Sequence, residues 1–286
     1  MFYPRDIGVI DLMMNIPGAD SREWYQFMQP LFRDKASKNF VKMPVEYMFR
    51  NIPDAADVED QAAWTVAEMD KYGVDKAMLG VTAEANADAI RRFPDRFFGS
   101  YNANPNNGMD EVRAIVRAKE EFDIKSVTGF PSGVCPQAPI NDKRWYPIYA
   151  KCVELDLPFS CCVGVPGPRL PMAPQKVELI DEVCWFFPEL KFVMRHGAEP
   201  WVDLAVKLMI KYPNLYYMTS AFAPKHYPGG IIDYANTRGS KKIMFAGYFP
   251  MGLSMERVFR ELPDVPFSEK VWPRFLRDNA VEVFRL

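Results

Sequence analysis

The sequence predicts an α/β protein of the (β/α)8 class, a TIM barrel with a helical insertion after strand 1. Three observations carry this. Eight short runs rich in Val, Ile and Phe are spaced along the chain with amphipathic helical patterns between them, as expected of strands alternating with covering helices. The runs are almost continuously apolar, as parallel strands buried on both faces are. The G-x-G-x-x-G turn expected of the rival architecture, an open doubly wound sheet, does not occur in the chain.

The first run is "GVIDLMM" (8–14). The others are "DKAMLGV" (75–81), "FFGSYNAN" (97–104), "KSVTGF" (125–130), "PFSCCVG" (158–164), "KFVMRHG" (191–197), "LYYMTS" (215–220) and "KKIMFAGYFP" (241–250). Between them, "DEVRAIVRAKEEF" (110–122) sets Val112, Ile115 and Val116 on neighbouring turns. Its Asp110 and Glu111 stand near the start, where the helix dipole favours acids. "PIYAKCVEL" (147–155) opens on Pro147, which a first helical turn tolerates. "PQKVELIDEVCWFF" (174–187) and "EPWVDLAVKLMIKY" (199–212) repeat the pattern.

The first unit is abnormally long, with about sixty residues between strands one and two. Residues 15–57 read as an insertion packed over the carboxyl end of the barrel, and "VEDQAAWTVAEMDKYG" (58–73) as the first helix. No linker or repeat divides the chain, so residues 1–286 read as one domain. The insertion is rich in aromatics and Met ("REWYQFMQPLF", "VEYMFRNIP"). It is either a structural flap, or else a functional lid or a surface on which Trp24, Tyr25 and Phe27 meet a partner or a second copy, since such residues are enriched at interfaces.

Lys plus Arg number 35 and Asp plus Glu 37, a net charge of −2. That balance gives no field for gathering nucleic acid or an anionic membrane. No apolar stretch reaches spanning length, and the N-terminus lacks the pattern of a signal peptide. Five cysteines without a C-x-x-C pair suit reduced thiols and a cytoplasmic location. Only two histidines occur, His196 and His226.

The strand ends carry a recognisable pattern. "VIDLMMN", "NDKRWYPIYAKCVELDLPFSCCVG", "PELKFVMRHGAEPW", "KKIMFAGYFP" and "RDNAVEVFRL" together make the chain resemble the amidohydrolase-related family. The branch is the one that includes aminocarboxymuconate semialdehyde decarboxylase and related carboxylate decarboxylases and hydratases. The resemblance implies a barrel with a metal site at its mouth: D-x-H-x-H on strand one, a histidine ending strand five, His-Gly ending strand six and an aspartate in G-S-D-Y-P after strand eight. Asp11 and His196-Gly197 match. Met13 and Asn15 stand at the strand-one histidines, Cys162 at the strand-five histidine and Tyr248 at the aspartate. Thr128 aligns with the end of strand four.

A catalytic zinc needs about three good ligands and an open position. Methionine is a poor ligand for a hard divalent ion and asparagine a weak one. Tyr248, with an ordinary pKa of about 10, is a poor replacement for a carboxylate base. The expectation is therefore no metal and no cofactor. His196 is the leading candidate for acid–base work; its other reading is a hydrogen-bonded residue that organises its loop. Arg195 is expected to point to the opposite side of the strand and to pair with an acid among the helices. Cys162 is a candidate nucleophile if it touches His196, or else a buried inert thiol. Arg169, after strand five, is a candidate clamp for a substrate carboxylate, or else a solvated loop residue. Asp11, Met13, Asn15 and Thr128 complete the expected pocket.

Two functions fit these residues. One is a barrel that has lost metal and base and acts as a binding or accessory protein. Resemblance to amidohydrolase-like proteins associated with bacterial soluble di-iron monooxygenases implies a role in folding or assembly of such a partner, and a dimer is expected. The other is a metal-independent hydrolase or decarboxylase for a small carboxylate or lactone, with His196 as the acid–base group and Tyr248 as proton donor.

Overall fold

The computed structural model describes residues 3–4, 6–18 and 21–286. Its eight parallel strands follow chain order around the barrel. They are β1 (Val9–Met14), β2 (Val74–Gly80), β3 (Phe97–Ala103), β4 (Ser126–Gly129), β5 (Phe159–Cys162), β6 (Phe192–Arg195), β7 (Leu215–Met218) and β8 (Ile243–Met244). Seven of the eight apolar runs contain their strand, and β2 begins one residue before its run (75–81). Between β8 and β1 closure rests on isolated backbone bonds. Phe245 C=O accepts the Leu12 N–H at 3.3 Å, Met13 C=O the Tyr248 N–H at 3.1 Å, and Phe249 C=O the Asn15 N–H at 3.0 Å.

The helices are α1 (Lys35–Lys38), α2 (Gln61–Lys71), α3 (Glu84–Arg92), α4 (Met109–Phe122), α5 (Tyr146–Glu154), α6 (Ile180–Phe186), α7 (Val202–Lys211), α8 (Gly229–Thr237), α9 (Met255–Glu261) and α10 (Asn279–Phe284). Asp60 caps α2, its carboxylate accepting the Ala63 N–H at 3.0 Å, which satisfies one of the free donors of a helix start. The 174–187 run is helical only from Ile180. Two 3-10 turns precede it, separated by Lys176 in extended conformation. Residues 15–57 hold a 3-10 helix (Ser21–Leu31), α1 and a 3-10 turn (Glu46–Met48). Among the described residues no helix is long and apolar enough to cross a membrane.

The core has two layers, set by the two-residue period of a strand. One buried cluster joins Ile10, Leu12, Met78, Phe98, Val193, Met218 and Met244 to Ala280, Val283 and Phe284. It fills the barrel's interior, with α10 as a plug at the end where the strands begin. The larger cluster, including Val127, Phe159, Cys161, Phe192, Met194 and Tyr217, lies between strands and helices. Phe159 is central to it, with its ring 5.5 Å from Trp145, 4.9 Å from Tyr149 and 5.8 Å from Phe192. A Cβ on Gly129 would lie 2.5 Å from the same ring, so β4 carries glycine where the ring crosses it. Phe159→Ala is expected to cost about 3–5 kcal/mol in a urea melt; a loss below about 1 kcal/mol would show that the neighbours refill the space.

Candidate functional site

The inward residues at the strand ends open into a cavity of about 1370 Å³. Its wall takes Met13 and Asn15 from β1 and just beyond it, Asn102 from β3, Thr128 from β4, Cys162 from β5, Arg195 from β6, and then His196 and Tyr248. Residues between 15 and 57, among them Trp24, Tyr25, Met28, Val45 and Phe49, supply part of the cover, and the segments after the strands, with Glu84, Phe130, Glu199 and Phe222, supply the rest. The carboxyl end of the strands is where barrel enzymes place their chemistry.

β6 fixes the central feature. Phe192 and Met194 face the helices and Val193 the interior, so alternation turns Arg195 inward. The strand ends there, and His196 has a φ of +68°, which breaks the alternation and lets the imidazole reach the same cavity. This corrects the expected orientation of Arg195. The two-residue period holds only to Arg195, where β6 ends, and does not extend to His196. Arg195 has no carboxylate partner among the described residues. Its Nε–H donates to His196 Nε2 at 3.2 Å.

His196 is engaged at both ring nitrogens. Nδ1 lies 3.2 Å from Ser220 Oγ, and Ser220 Oγ also accepts the His196 backbone N–H at 3.2 Å. Since Nε2 accepts from Arg195, Nδ1 carries the ring proton and donates to Ser220. Burial holds the imidazole pKa well below its ordinary value, and the Arg195 charge adds to that. The ring is neutral at neutral pH.

Tyr248 stands edge-on to His196, with ring centroids 5.6 Å apart. Its φ is +77°, a conformation rare for a bulky residue and costing about 1–2 kcal/mol. The bond from its N–H to Met13 C=O helps hold it. Burial pushes its phenol up to about 12, while the nearby Arg195 charge restrains the rise. Cys162 is buried, and its thiol is pushed up by burial, again restrained by Arg195. No hydrogen bond joins Cys162 to His196 among the described residues. Cys161 faces the outer core.

Amides line the opposite wall. Asn86 Nδ2 donates to Asn15 Oδ1 at 2.9 Å, and Asn86 Oδ1 accepts the Ile16 N–H at 2.9 Å. Asn15 Nδ2 is left facing the Met251 sulfur at 3.2 Å, a weak acceptor. Thr128 donates to Asn102 Oδ1.

Two expected pocket residues lie outside the wall, a correction in each case. Arg169 pairs with Asp34 Oδ1 at 3.1 Å and covers the Tyr47 ring at 4.7 Å, so it ties the loop after β5 to residues 34–47. Asp11 is buried beneath the wall. Its Oδ1 accepts the Met13 N–H at 3.0 Å and the Gly247 N–H at 2.8 Å. Desolvation raises its pKa to about 7, and these two bonds oppose the rise. Trp24 and Tyr25 are half-buried and face the cavity, whereas Phe27 is 52% exposed. His226 is exposed at the rim.

The chain belongs to the amidohydrolase family, whose model matches residues 32–286. No match is found among curated proteins. Among solved structures, an uncharacterised TIM-barrel protein from Bordetella bronchiseptica shares 20% identity at a TM-score of 0.73, over 97% of this chain and 98% of that one. A 5-carboxyvanillate decarboxylase from Novosphingobium aromaticivorans, solved with bound manganese, shares 17% at 0.67 over 99% of each chain. The 2,6-dihydroxybenzoate decarboxylase from Rhizobium shares 14% at 0.65, over 98% of this chain and 99% of that one. At these identities the likeness is one of fold.

Proposed function

We propose that the cavity is a metal-independent site for a small carboxylate, and that the protein is a hydrolase or decarboxylase of the amidohydrolase family. The observation that carries this reading is the Arg195 guanidinium, a fixed cation inside the cavity without an acidic partner among the described residues. It stands one residue from the family's strand-six ligand position. A divalent ion there would be repelled, and a carboxylate attracted.

The donor set does not fit a divalent ion either. Met13 offers a soft thioether. The Asn15 carbonyl is engaged by Asn86, and the His196 Nε2 lone pair by Arg195. Burial keeps the Cys162 thiol protonated. Among the described residues no group of three or more His, Cys, Asp or Glu side chains is placed to hold a metal ion. The related decarboxylases named above support the substrate class, and hydroxylated or methoxylated benzoates are the first panel to try.

Loss of carbon dioxide from such a substrate leaves an electron pair on carbon, which must take a proton. Tyr248, held in the protonated form by burial, is the donor, and solvent reprotonates it. Chelator-treated protein is expected to release carbon dioxide from a panel member at an undiminished rate. Tyr248→Phe is expected to lower kcat about a hundredfold, read by product mass spectrometry. Turnover that appears only when manganese or zinc is added would overturn the metal-independent reading.

A second reading has one observation behind it. Phe27, Tyr47 and Met48, all more than half exposed, leave apolar surface beside the cavity mouth. On that reading the chain assists folding or assembly of a partner such as a di-iron monooxygenase. A Phe27→Ser, Tyr47→Ser double variant should then fail to co-purify with the hydroxylase component; unchanged co-purification would reject it.

A further inference from the structure

We propose that Arg195 anchors one carboxylate group of the ligand end-on, and that His196, itself held by Ser220, is the residue that positions Arg195. This rests on the reading of the cavity as a carboxylate site and gives His196 a task other than acid–base chemistry.

The donors of a guanidinium limit how it can hold a carboxylate. Arginine has five N–H groups in a rigid plane, and a carboxylate is gripped either along the Nε–Nη edge or along the Nη1–Nη2 edge. In Arg195 the Nε–H is spent on His196 Nε2 at 3.2 Å. The first edge is therefore closed. Nη1 and Nη2 have no hydrogen-bond partner among the described residues, in a chain whose other arginine at the cavity wall, Arg257, is paired with Glu261 at 3.0 Å. The end-on fork is left for a ligand.

The backbone makes the arrangement possible. His196 is in the left-handed region, so two consecutive side chains share one cavity. The imidazole can accept from Arg195 only as the Nδ1–H tautomer, and Ser220 Oγ, fully buried on the loop after β7, is placed to receive that proton at 3.2 Å. Arg195 can only donate, so it fixes Nε2 as an acceptor and Nδ1 as the protonated nitrogen, and Ser220 Oγ, which can accept, completes the chain and holds the ring in place. A single cation with a two-pronged face suits a monocarboxylate. A phosphate monoester, with close to two negative charges and three terminal oxygens, would want further donors and a second cation.

The test uses the whole chain and benzoate as probe, with phenyl phosphate as the competing class, in calorimetric titrations at neutral pH. Benzoate is expected to bind more tightly than phenyl phosphate. Arg195→Gln should weaken benzoate by about thirtyfold, the scale of a lost charge-assisted bond. Arg195→Lys should recover little of it, since an ammonium lacks the fork. His196→Asn suits the left-handed backbone but withdraws the Nε2 acceptor, and should weaken benzoate about fivefold. His196→Gln, whose amide oxygen reaches near the Nε2 position, should recover most of that loss. A second measurement needs no change at His196. In the ¹⁵N spectrum of histidine-labelled protein, assigned through His226→Gln, His196 should show a protonated Nδ1 and an unprotonated Nε2. The Nε2 resonance should move in Arg195→Gln.

Benzoate binding unchanged in Arg195→Gln, or tighter binding of phenyl phosphate, would overturn the anchor; so would a parent protein that binds no benzoate. An unprotonated Nδ1, or an Nε2 resonance indifferent to Arg195→Gln, would overturn the positioning role. Binding as described without turnover of any carboxylate would leave the anchor standing and remove the enzymatic reading alone.

Discussion

Gly164→Ala is expected to lower stability by about 3 kcal/mol and to weaken benzoate binding with it. Gly164 follows β5 with a φ of +87°, which costs an L-residue about 1–2 kcal/mol. A Cβ there would meet backbone, at 2.7 Å from Glu199 O, 2.9 Å from Glu199 N and 3.0 Å from Ala198 C. Side chains can swing aside from such a clash, but a backbone held by the Val165 N–H to Glu199 C=O bond at 2.8 Å cannot. Overpacking of this kind adds about 1–3 kcal/mol. The loop it would push carries His196 and Gly197, so the displacement is passed to Arg195 and the anchor. Gly229→Ala is the contrasting control. Nothing lies within 4 Å of its added Cβ, and it opens α8, so a change near zero is expected. Urea melts of the two variants decide the matter; a Gly164→Ala protein as stable as the parent would mean that the loops after β5 and β6 do not bear on one another.

The barrel was legible in the sequence because both faces of each strand are buried, and burial writes itself into composition. Each apolar run marks its strand to within one residue, and helices α2, α4, α5 and α7 sit where periodicity places them. The family, too, could be read from strand-end residues spread along the chain. Less legible was everything that depends on a backbone departing from its local average. The run 174–187 has the composition of one helix, yet Lys176 interrupts it. The period from Val193 turns Arg195 inward, but nothing in "VMRHG" marks His196 as left-handed, so the sequence does not show that both side chains share one cavity. Arg169 looked the better clamp from its loop, but Asp34, 135 positions away in sequence, takes its charge. Ser220 and Asn86 carried no signal, since their importance lies in which atoms the fold brings to them.

Asp11→Asn is expected to flatten the pH dependence of stability between about pH 4 and pH 7. The carboxyl group has a pKa near 3.8 in the unfolded chain and about 7 in the folded one. Between those values the native state keeps a proton that the unfolded state releases, so stability falls as pH rises. The contribution is fully present below the unfolded pKa and is lost as pH passes the folded one, an effect on the order of 4 kcal/mol. His196 acts in the opposite sense, because its buried neutral ring favours the native state only above the unfolded histidine pKa. The difference between parent and variant, rather than the parent's own profile, therefore isolates Asp11. The asparagine oxygen can still accept both N–H groups now held by Oδ1, so at pH 8 the variant should be the more stable of the two. Asp11→Ala would leave the Met13 and Gly247 donors unsatisfied and should cost about 2–4 kcal/mol at any pH. Gly247 precedes Tyr248, so that loss should also loosen the phenol from His196. Urea melts at several pH values test both variants; parallel profiles for parent and Asp11→Asn would show that the carboxyl group titrates alike in both states and that the buried link between β1 and the end of β8 carries no proton.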